Sequence, residues 1–217
     1  MLTVDQLSYS RNNRVLFKQV TFQLLPSQVL HIIGDNGSGK TTLLQILTGL
    51  RIPLTGKVMW KGIPIDKKNS NFTENLLYIN HHLGMKASLT PIENLYLFLV
   101  RRNVVHTQPK KEVINGIYQI LEQLNLKDCS ENILARLSMG QQRRLSLAKL
   151  LLIQADCWIL DEPFTSLDNV GIAFMLSLME KQSIRGGSIV FTSHLANFSL
   201  SLEIKKIFLG SNNHVKT

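Results

Sequence analysis

The stretch Gly34-Asp35-Asn36-Gly37-Ser38-Gly39-Lys40-Thr41-Thr42 (GDNGSGKTT) decides the fold of this chain. It fits the pattern G-x-x-x-x-G-K-[ST] and follows the apolar run Val29–Ile33, so a buried strand is predicted to lead directly into a phosphate-binding loop. The glycines allow successive backbone N–H groups to turn towards anionic oxygens. Lys40 is placed to contact the β- and γ-phosphates of a nucleoside triphosphate, and the hydroxyl of Thr41 to coordinate Mg²⁺. Every residue of the run is therefore predicted to contact the nucleotide.

The composition is that of a globular chain. Of the 217 residues, 44% are hydrophobic, which is enough to bury a sizeable core. We expect one domain, residues 1–217, that contains a helical subdomain at about 81–153. The N-terminus lacks the apolar centre of a secretory signal. No run approaches the roughly 18 apolar residues of a membrane span, so we expect the chain not to cross a bilayer by itself.

Charge and cysteine content narrow the expected environment. The formal net charge of +9 is spread over separate pairs such as Lys67-Lys68 and Arg143-Arg144, a distribution that favours solvated faces over a nucleic-acid interface. The two cysteines, Cys129 and Cys157, have neither metal-ligand spacing nor a disulfide pattern. Attraction of this positive charge to nucleic acid or to an anionic membrane surface is the alternative interpretation. We expect a cytoplasmic protein that does not bind nucleic acid.

Hydrophobic periodicity predicts strands that alternate with helices, which is typical of an α/β fold. Beyond Val29–Ile33, the predicted strands are Leu2–Leu7, Val20–Leu24, Gly56–Trp60, Leu76–Ile79, Cys157–Leu160, Ser188–Thr192 and Lys205–Leu209. The predicted helices are Thr42–Leu50, Ile92–Val100, Val113–Leu124, Gln141–Ile153 and Val170–Lys181, and Ile63–Asn75 is predicted to be a loop. The expected fold class is an α/β P-loop NTPase with a mixed sheet core, an antiparallel β edge and an inserted helical lobe.

Two carboxylates follow the apolar strand Cys157–Leu160 and would lie at the carboxyl edge of a parallel sheet, beside the phosphate loop. Asp161 is predicted to hold Mg²⁺, directly or through water, and Glu162 to polarise the water that attacks the γ-phosphorus. His194 ends a later strand at the same edge, where its imidazole can hydrogen-bond the γ-phosphate or that water. The predicted catalytic residues are therefore Lys40, Glu162 and His194.

A small, flexible helix entry lies upstream of these carboxylates. In Leu137-Ser138-Met139-Gly140-Gln141 the serine has the character of an N-cap, and the start of a capped helix is a favourable place for an anion. Downstream, Ser166-Leu167-Asp168 follows Glu162 closely.

The identity and order of these motifs resemble those of the ATP-binding subunits of ABC transporters, and the resemblance covers nearly the whole chain. The resemblance implies that Gly34–Thr42 is Walker A, that Asp161 and Glu162 are the Walker B aspartate and catalytic glutamate, and that His194 is the switch histidine. It implies that LSMGQ is the signature, with Ser138, Gly140 and Gln141 contacting nucleotide, and that Asp168 belongs to the D-loop. It further implies a homodimer that encloses two ATP molecules, each between Walker A of one chain and the signature of the other.

Three positions depart from that family's pattern. His81 stands where a glutamine usually senses Mg²⁺ and the membrane partner; a neutral imidazole can accept a hydrogen bond or ligate the metal. At the position of the aromatic residue that stacks on adenine, the register gives Arg11, with Tyr9 out of step, so either side chain is a candidate. Met139 replaces a glycine of the signature and adds bulk.

The segment from Tyr78 to Lys86, followed by Leu89-Thr90 and Glu93-Asn94-Leu95, is similar to one branch of the family, the ATP-binding subunits of cytochrome c maturation systems. That branch implies integral membrane ABC partner subunits, release of a haem-loaded chaperone, and a peripheral position on the cytoplasmic face of a bacterial inner membrane. We expect no direct haem contact by this chain. The alternatives are the ATPase subunit of another small-substrate, drug or lipid exporter, or a soluble ABC ATPase that acts on ribosomes or nucleic acid.

Overall fold

The computed structural model describes residues 1–65, 70–81, 84–105, 109–194 and 202–209. The chain forms two compact units. The first, here called the sheet unit, holds Met1–His81, Ala155–Pro163 and Leu176–Thr217. The second, the helical unit, holds His82–Gln154 and Phe164–Met175. The helical unit thus contains a second segment that was not predicted, and the assignment of residues 1–217 to one domain stays a prediction.

The secondary structure alternates as the sequence predicts. The strands are β1 (Leu2–Arg11), β2 (Arg14–Leu24), β3 (Val29–Gly34), β4 (Thr55–Trp60), β5 (Ile63–Pro64), β6 (Leu76–Ile79), β7 (Cys157–Leu160), β8 (Ser188–Thr192) and β9 (Ile204–Leu209). The α-helices are α1 (Lys40–Leu47), α2 (Ser70–Asn75), α3 (Pro91–Arg101), α4 (Lys110–Gln123), α5 (Met139–Leu152) and α6 (Asn169–Ile184), and short 3-10 helices occupy Lys127–Cys129 and Leu134–Arg136.

Two sheets make up the sheet unit. One is parallel, in the order β6-β7-β8-β3-β9, and the other is antiparallel, in the order β2-β1-β4-β5. The α/β fold class is confirmed, but the antiparallel strands form a sheet of their own and are not an edge of the parallel one. Every residue of β7 and β8 is buried, as expected for central strands of a parallel sheet that is covered on both faces.

The first hairpin is longer than its predicted strands. Register shifts interrupt the pairing of β1 with β2, and Gln6 and Gln19 have positive φ values of 47° and 52°. Side chains of a regular strand alternate between its two faces, so Leu2 and Val4 share the buried face and Leu7 would point to the other one. A bulge inserts one extra residue and shifts this alternation by one position, and Leu7 is therefore buried together with Leu2 and Val4. Because the bulges break the two-residue alternation, periodicity detects only the ends of these strands.

The segment Ile63–Asn75 is not the uninterrupted loop that its polar, Lys- and Asn-rich composition predicts. Ile63–Pro64 forms β5, and Ser70–Asn75 forms α2. Phe72 of α2 is fully buried, with its ring centroid 5.5 Å from that of Trp60. One apolar side chain in contact with the core therefore orders a helix that local composition disfavours.

A single hydrophobic core joins the two sheets and α1. Leu43, Leu44, Ile46 and Leu47 of α1 are buried in the same cluster as the inward residues of β1 to β4 and of the parallel strands. Since α1 follows the phosphate loop directly, this packing fixes the position of the loop against β3.

The helical unit has its own core, formed by α3, α4 and α5. Its buried members include Leu95, Leu99, Val113, Ile117, Leu121, Leu145 and Ala148. Thr90 and Glu93 form a capping box at the start of α3, which Pro91 reinforces at the first helical position. Across the residues that the structure describes, no helix is both long enough and apolar enough to span a bilayer.

Candidate nucleotide-binding site

The phosphate loop connects β3 to α1 through left-handed backbone. Gly37 and Gly39 have φ values of 80° and 100°, a region that favours glycine, and Gly39 is the N-cap residue of α1. A Cβ at Gly39 would lie 3.1 Å from Cβ of Leu16, and one at Gly34 would clash with the carbonyl oxygen of Leu209. Gly37 and Gly39 are therefore required for their backbone conformation, and Gly34 is required because a side chain there would have no space.

Lys40 lies inside this loop. The side chain is buried, and its Nζ donates to the carbonyl oxygens of Gly34 at 2.6 Å and of Asp35 at 3.2 Å. The two hydrogen bonds hold a positive charge within the curve of the loop backbone. Because a phosphate oxygen is a stronger acceptor for an ammonium than a neutral carbonyl, this charge can bind nucleotide phosphate.

Thr41 and Asp161, two of the predicted metal ligands, are in contact although they belong to different motifs. The hydroxyl of Thr41 donates to Oδ2 of Asp161 at 2.8 Å, and only 1% of Asp161 is exposed. Its other oxygen, Oδ1, accepts a 2.8 Å hydrogen bond from the hydroxyl of Thr192. Thr192 was not predicted as a site residue; its only sequence signal is its place at the end of β8, just before Ser193 and His194.

Glu162 and His194 also meet at this edge of the sheet. The backbone N–H of His194 donates to Oε2 of Glu162 at 3.2 Å, and Nε2 of His194 lies 3.4 Å from Oε1. Glu162 has a positive φ of 51°, and its own N–H donates to the hydroxyl of Thr192 at 2.9 Å. A non-glycine residue in this conformation is strained, and the surrounding hydrogen bonds maintain it.

The signature residues lie in the helical unit, at the start of α5. Ser138 and Gln141 form a capping box, in which the Ser138 hydroxyl accepts from the Gln141 N–H at 3.2 Å and Oε1 of Gln141 accepts from the Ser138 N–H at 2.8 Å. Gly140 abuts the backbone of Ser166, where a Cβ would lie 3.1 Å from the carbonyl oxygen. The intervening Met139 is 68% exposed.

Asp168 belongs to the same unit and caps the next helix. Its Oδ1 accepts from the backbone N–H of Gly171 at 2.8 Å, so this carboxylate stabilises the start of α6. The structure therefore brings the signature helix and the Ser166–Asp168 turn together. The predicted phosphate, metal and hydrolysis residues lie in the sheet unit.

The two candidates for adenine stacking differ in their surroundings. The Tyr9 hydroxyl accepts a 2.7 Å hydrogen bond from Arg51, whose guanidinium carbon lies 5.5 Å from the ring centroid, and the Phe17 ring lies 6.2 Å away. Arg11 is exposed at the end of β1. Of the two, Arg11 is the side chain that is open to a base.

His81 is exposed and lies two residues beyond the end of β6. The Asp161 N–H donates to the carbonyl of Ile79 at 2.8 Å, so the two chain segments leave the sheet side by side. The next residue, His82, lies outside the described part of the chain. No group of three or more His, Cys, Asp or Glu side chains within the described ranges could hold a metal ion. Thr41 and Asp161 contact each other, and the role of His81 as a further metal ligand stays a prediction.

Comparison with known proteins agrees with these motifs. Residues 17–165 match the ABC transporter family. A protein of Vibrio vulnificus (strain YJ016) named cytochrome c biogenesis ATP-binding export protein CcmA is 38% identical over 210 residues, which cover 97% of this chain and all of that relative. A protein of the same name from Mannheimia succiniciproducens is 38% identical over 193 residues, which cover 89% of this chain and 87% of the relative.

Solved structures show the same fold. The dimeric structure of MJ0796, a bacterial ABC transporter cassette, is similar with a TM-score of 0.86 and 22% identity, covering 100% of this chain and 97% of that one. A dimeric post-hydrolysis state of MJ0796 bound to ADP and Pi has a TM-score of 0.79 at 22% identity, covering 90% and 88%. The resemblance predicted from the motifs is confirmed by a family match over most of the chain and by relatives above 30% identity. This chain belongs to the ABC transporter family.

Proposed function

We propose that this chain is the ATP-hydrolysing subunit of a membrane ABC transporter of the cytochrome c biogenesis type. The observation that carries the proposal is the cluster at the carboxyl edge of the parallel sheet, where Thr41, Asp161, Thr192, Glu162 and His194 are joined by hydrogen bonds and contacts of 2.8 to 3.4 Å. The cluster lies next to the phosphate loop, because Thr41 is part of both. The assignment to the cytochrome c biogenesis type is based on the names of the relatives.

The phosphate loop binds the triphosphate of ATP. Its backbone N–H groups and the N-terminus of α1 face the phosphate oxygens, and Lys40 neutralises the β- and γ-phosphates. To do so, its ammonium exchanges the carbonyls of Gly34 and Asp35 for phosphate oxygens. The exposed Arg11 stacks its planar guanidinium on the adenine, while Tyr9 remains bonded to Arg51.

The residues present fit a bound Mg²⁺. Thr41 offers a hydroxyl and Asp161 a carboxylate 2.8 Å away, and Mg²⁺ prefers such oxygens together with phosphate and water. Thr41 would hold the metal directly, Asp161 directly or through water, and His81 follows a strand that ends at the same edge. When bound, Mg²⁺ supplies positive charge that stabilises the charge developing on the phosphates.

Hydrolysis depends on the pair of Glu162 and His194. The Glu162 carboxylate orients and polarises the attacking water in line with the γ-phosphorus. The backbone N–H of His194 fixes one carboxylate oxygen, which limits the directions that the other can take. Nε2 of His194 lies 3.4 Å from Oε1 of Glu162. In the proposed mechanism this imidazole contacts the γ-phosphate or the same water.

A second copy of the chain completes each site. Ser138, Gly140 and Gln141 present the start of α5, a helix N-terminus that attracts the γ-phosphate of ATP held by the other copy. Asp168 orders the turn that follows Glu162 by capping α6. The dimeric MJ0796 structures support this arrangement through their common fold. ATP-driven closure of the homodimer would then power the membrane partner.

Integral membrane partner subunits of the cytochrome c maturation type supply the segments that span the membrane. We place this chain at the cytoplasmic face of the inner membrane, where it drives export of haem or release of a haem-loaded chaperone without contacting haem or nucleic acid itself. The proposal rests on CcmA-named relatives that cover nearly the whole chain.

The test is affinity purification of the tagged chain from detergent-solubilised membranes of its host, followed by identification of the co-purifying proteins and measurement of MgATP hydrolysis. We expect multispanning cytochrome c maturation subunits and hydrolysis that depends on them. Recovery with a drug or lipid permease would favour another exporter. Salt-sensitive retention on ribosomes or nucleic acid would favour a soluble ABC ATPase.

A further inference from the structure

A histidine lies buried in the strand that carries the phosphate loop. His31 occupies the middle of β3, where its neighbours Leu30 and Ile32 are apolar, and only 4% of it is exposed. Its ring stacks on that of Phe191, its partner in β8, with centroids 4.4 Å apart and planes 5° from parallel. A buried polar ring is unfavourable unless its hydrogen-bonding groups are used.

The imidazole contacts the chain where it leaves β8. Nε2 of His31 lies 3.4 Å from the carbonyl oxygen of Ser193. Burial lowers the pKa of His31 to about 4, with a further lowering from Lys206 on the other neighbouring strand, so the ring is neutral at physiological pH. A carbonyl only accepts hydrogen bonds, and a neutral imidazole has a single N–H. The contact is therefore a hydrogen bond when Nε2 carries the proton.

The acceptor belongs to a peptide group that also touches the hydrolysis site. The carbonyl of Ser193 and the N–H of His194 are the two ends of one planar peptide unit. The carbonyl end faces His31 at 3.4 Å, and the N–H end donates to Oε2 of Glu162 at 3.2 Å. Rotation of this plane would move both ends at once, so the two contacts constrain each other.

We propose that His31 is a positioning residue for ATP hydrolysis, which holds the Ser193–His194 peptide so that its N–H orients the carboxylate of Glu162. The inference rests on the proposed function of Glu162. His31 does not touch the nucleotide in this scheme; it acts through the peptide plane. An aliphatic side chain would fill its place in the strand but would leave the Ser193 carbonyl without this donor.

Three variants separate the hydrogen bond from packing. His31→Leu removes the donor and fills the same place in the strand with an apolar side chain. His31→Gln restores an N–H donor, since the glutamine amide nitrogen lies the same number of bonds from Cα as Nε2 of histidine. Ile189→Val perturbs the buried packing of β8 at a position outside the site and is the matched control.

The assay uses the purified transporter complex, with wild type and Glu162→Gln measured first. If wild type hydrolyses MgATP and Glu162→Gln does not, the proposed role of Glu162 stands and the His31 series can be interpreted. We then expect His31→Leu to lower kcat about tenfold, because the Glu162 carboxylate loses its orientation. The Kd for ATP should stay within about twofold of wild type, because the phosphate loop keeps its conformation. His31→Gln should recover kcat to within about threefold of wild type, and Ile189→Val should not change it.

Wild-type kcat in His31→Leu, or equal losses of kcat in His31→Leu and His31→Gln, would overturn the proposal while leaving the proposed function intact. Nitrogen NMR of imidazole-labelled wild type provides a second measurement that needs no substitution. We expect a neutral Nε2–H tautomer at pH 7. The Nδ1–H tautomer would leave Nε2 with no proton to donate to the Ser193 carbonyl and would contradict the inference.

Discussion

The hydroxyl of Thr192 donates a 2.8 Å hydrogen bond to Oδ1 of Asp161. Its oxygen also accepts from the backbone N–H of Glu162 at 2.9 Å. One side chain at the end of β8 therefore fixes both acidic residues that follow β7. Since Asp161 is 1% exposed, water cannot readily replace the hydroxyl.

Thr192→Val keeps the shape of the side chain and removes the hydroxyl. We expect the free energy of unfolding to fall by about 1–3 kcal/mol, because a buried carboxylate oxygen loses its donor. ATP hydrolysis should fall about tenfold, since both acidic residues lose a common support. Urea unfolding and phosphate release measure the two effects. Thr192→Ser retains a hydroxyl and is the control; wild-type turnover in the valine variant would contradict this role.

Lys40→Ala removes the ammonium from the phosphate loop. The Kd for ATP should rise about tenfold to a hundredfold, because charge-assisted hydrogen bonds to the phosphates are lost. Isothermal titration calorimetry gives the value directly. Lys61→Ala removes an equal charge from an exposed ion pair with Asp156 and should leave the Kd unchanged. Equal affinity of the Lys40 variant and wild type would disprove the assignment of the loop.

Glu162→Gln keeps the size of the side chain and removes its ability to polarise water. Turnover should fall at least about a hundredfold, while ATP binding persists and two copies remain associated. Light scattering with ATP detects the trapped dimer, and phosphate release measures turnover. Glu203→Gln, an exposed substitution of the same kind, is the control. A hydrolysis rate near that of wild type would exclude Glu162 as the group that activates water.

His81→Gln places the more usual amide at the proposed sensor position. Because His81 is exposed and lies beyond the end of β6, we expect ATP binding and basal hydrolysis to stay within about threefold of wild type. Stimulation of hydrolysis by the membrane partner should change instead. Comparing the isolated chain with the assembled complex tests this separation. An equal change in both preparations would place His81 in the hydrolysis step.

Stability should depend on pH through His31. Burial lowers its pKa in the folded state to about 4, below the unfolded value of 6.5, so between these values the unfolded chain binds more protons. Stability then rises with pH across that window and falls on acidification, by about 3 kcal/mol in total for this group. Urea unfolding from pH 4 to 7 measures it. The difference in stability between wild type and His31→Gln should shrink or reverse towards pH 4; a constant difference would show that His31 does not titrate as described.

Much of the site follows from local sequence. The glycine spacing of Gly34–Thr42, the acidic pair after β7 and the capping serine before α5 depend on residues close together in the chain, and the structure has these elements where they were predicted. The length of β1 and β2 was underestimated because bulges at Gln6 and Gln19 disrupt the alternation on which strand prediction depends. The helix around Phe72 was missed because its cause is a distant contact with Trp60.

By itself the sequence determined the fold class, the family and the order of the motifs, because each depends on short-range patterns of glycine, charge and hydrophobicity. Tertiary structure alone decided which of these groups meet. Thr41 and Asp161 are 120 residues apart, and they are joined because β3 and β7 lie on either side of β8 in the parallel sheet. Thr192 and His31 acquire their contacts from the same strand order, which no local pattern encodes. Hydrogen bonds of about 3 Å between distant residues require an exact register, and packing of the whole sheet sets that register.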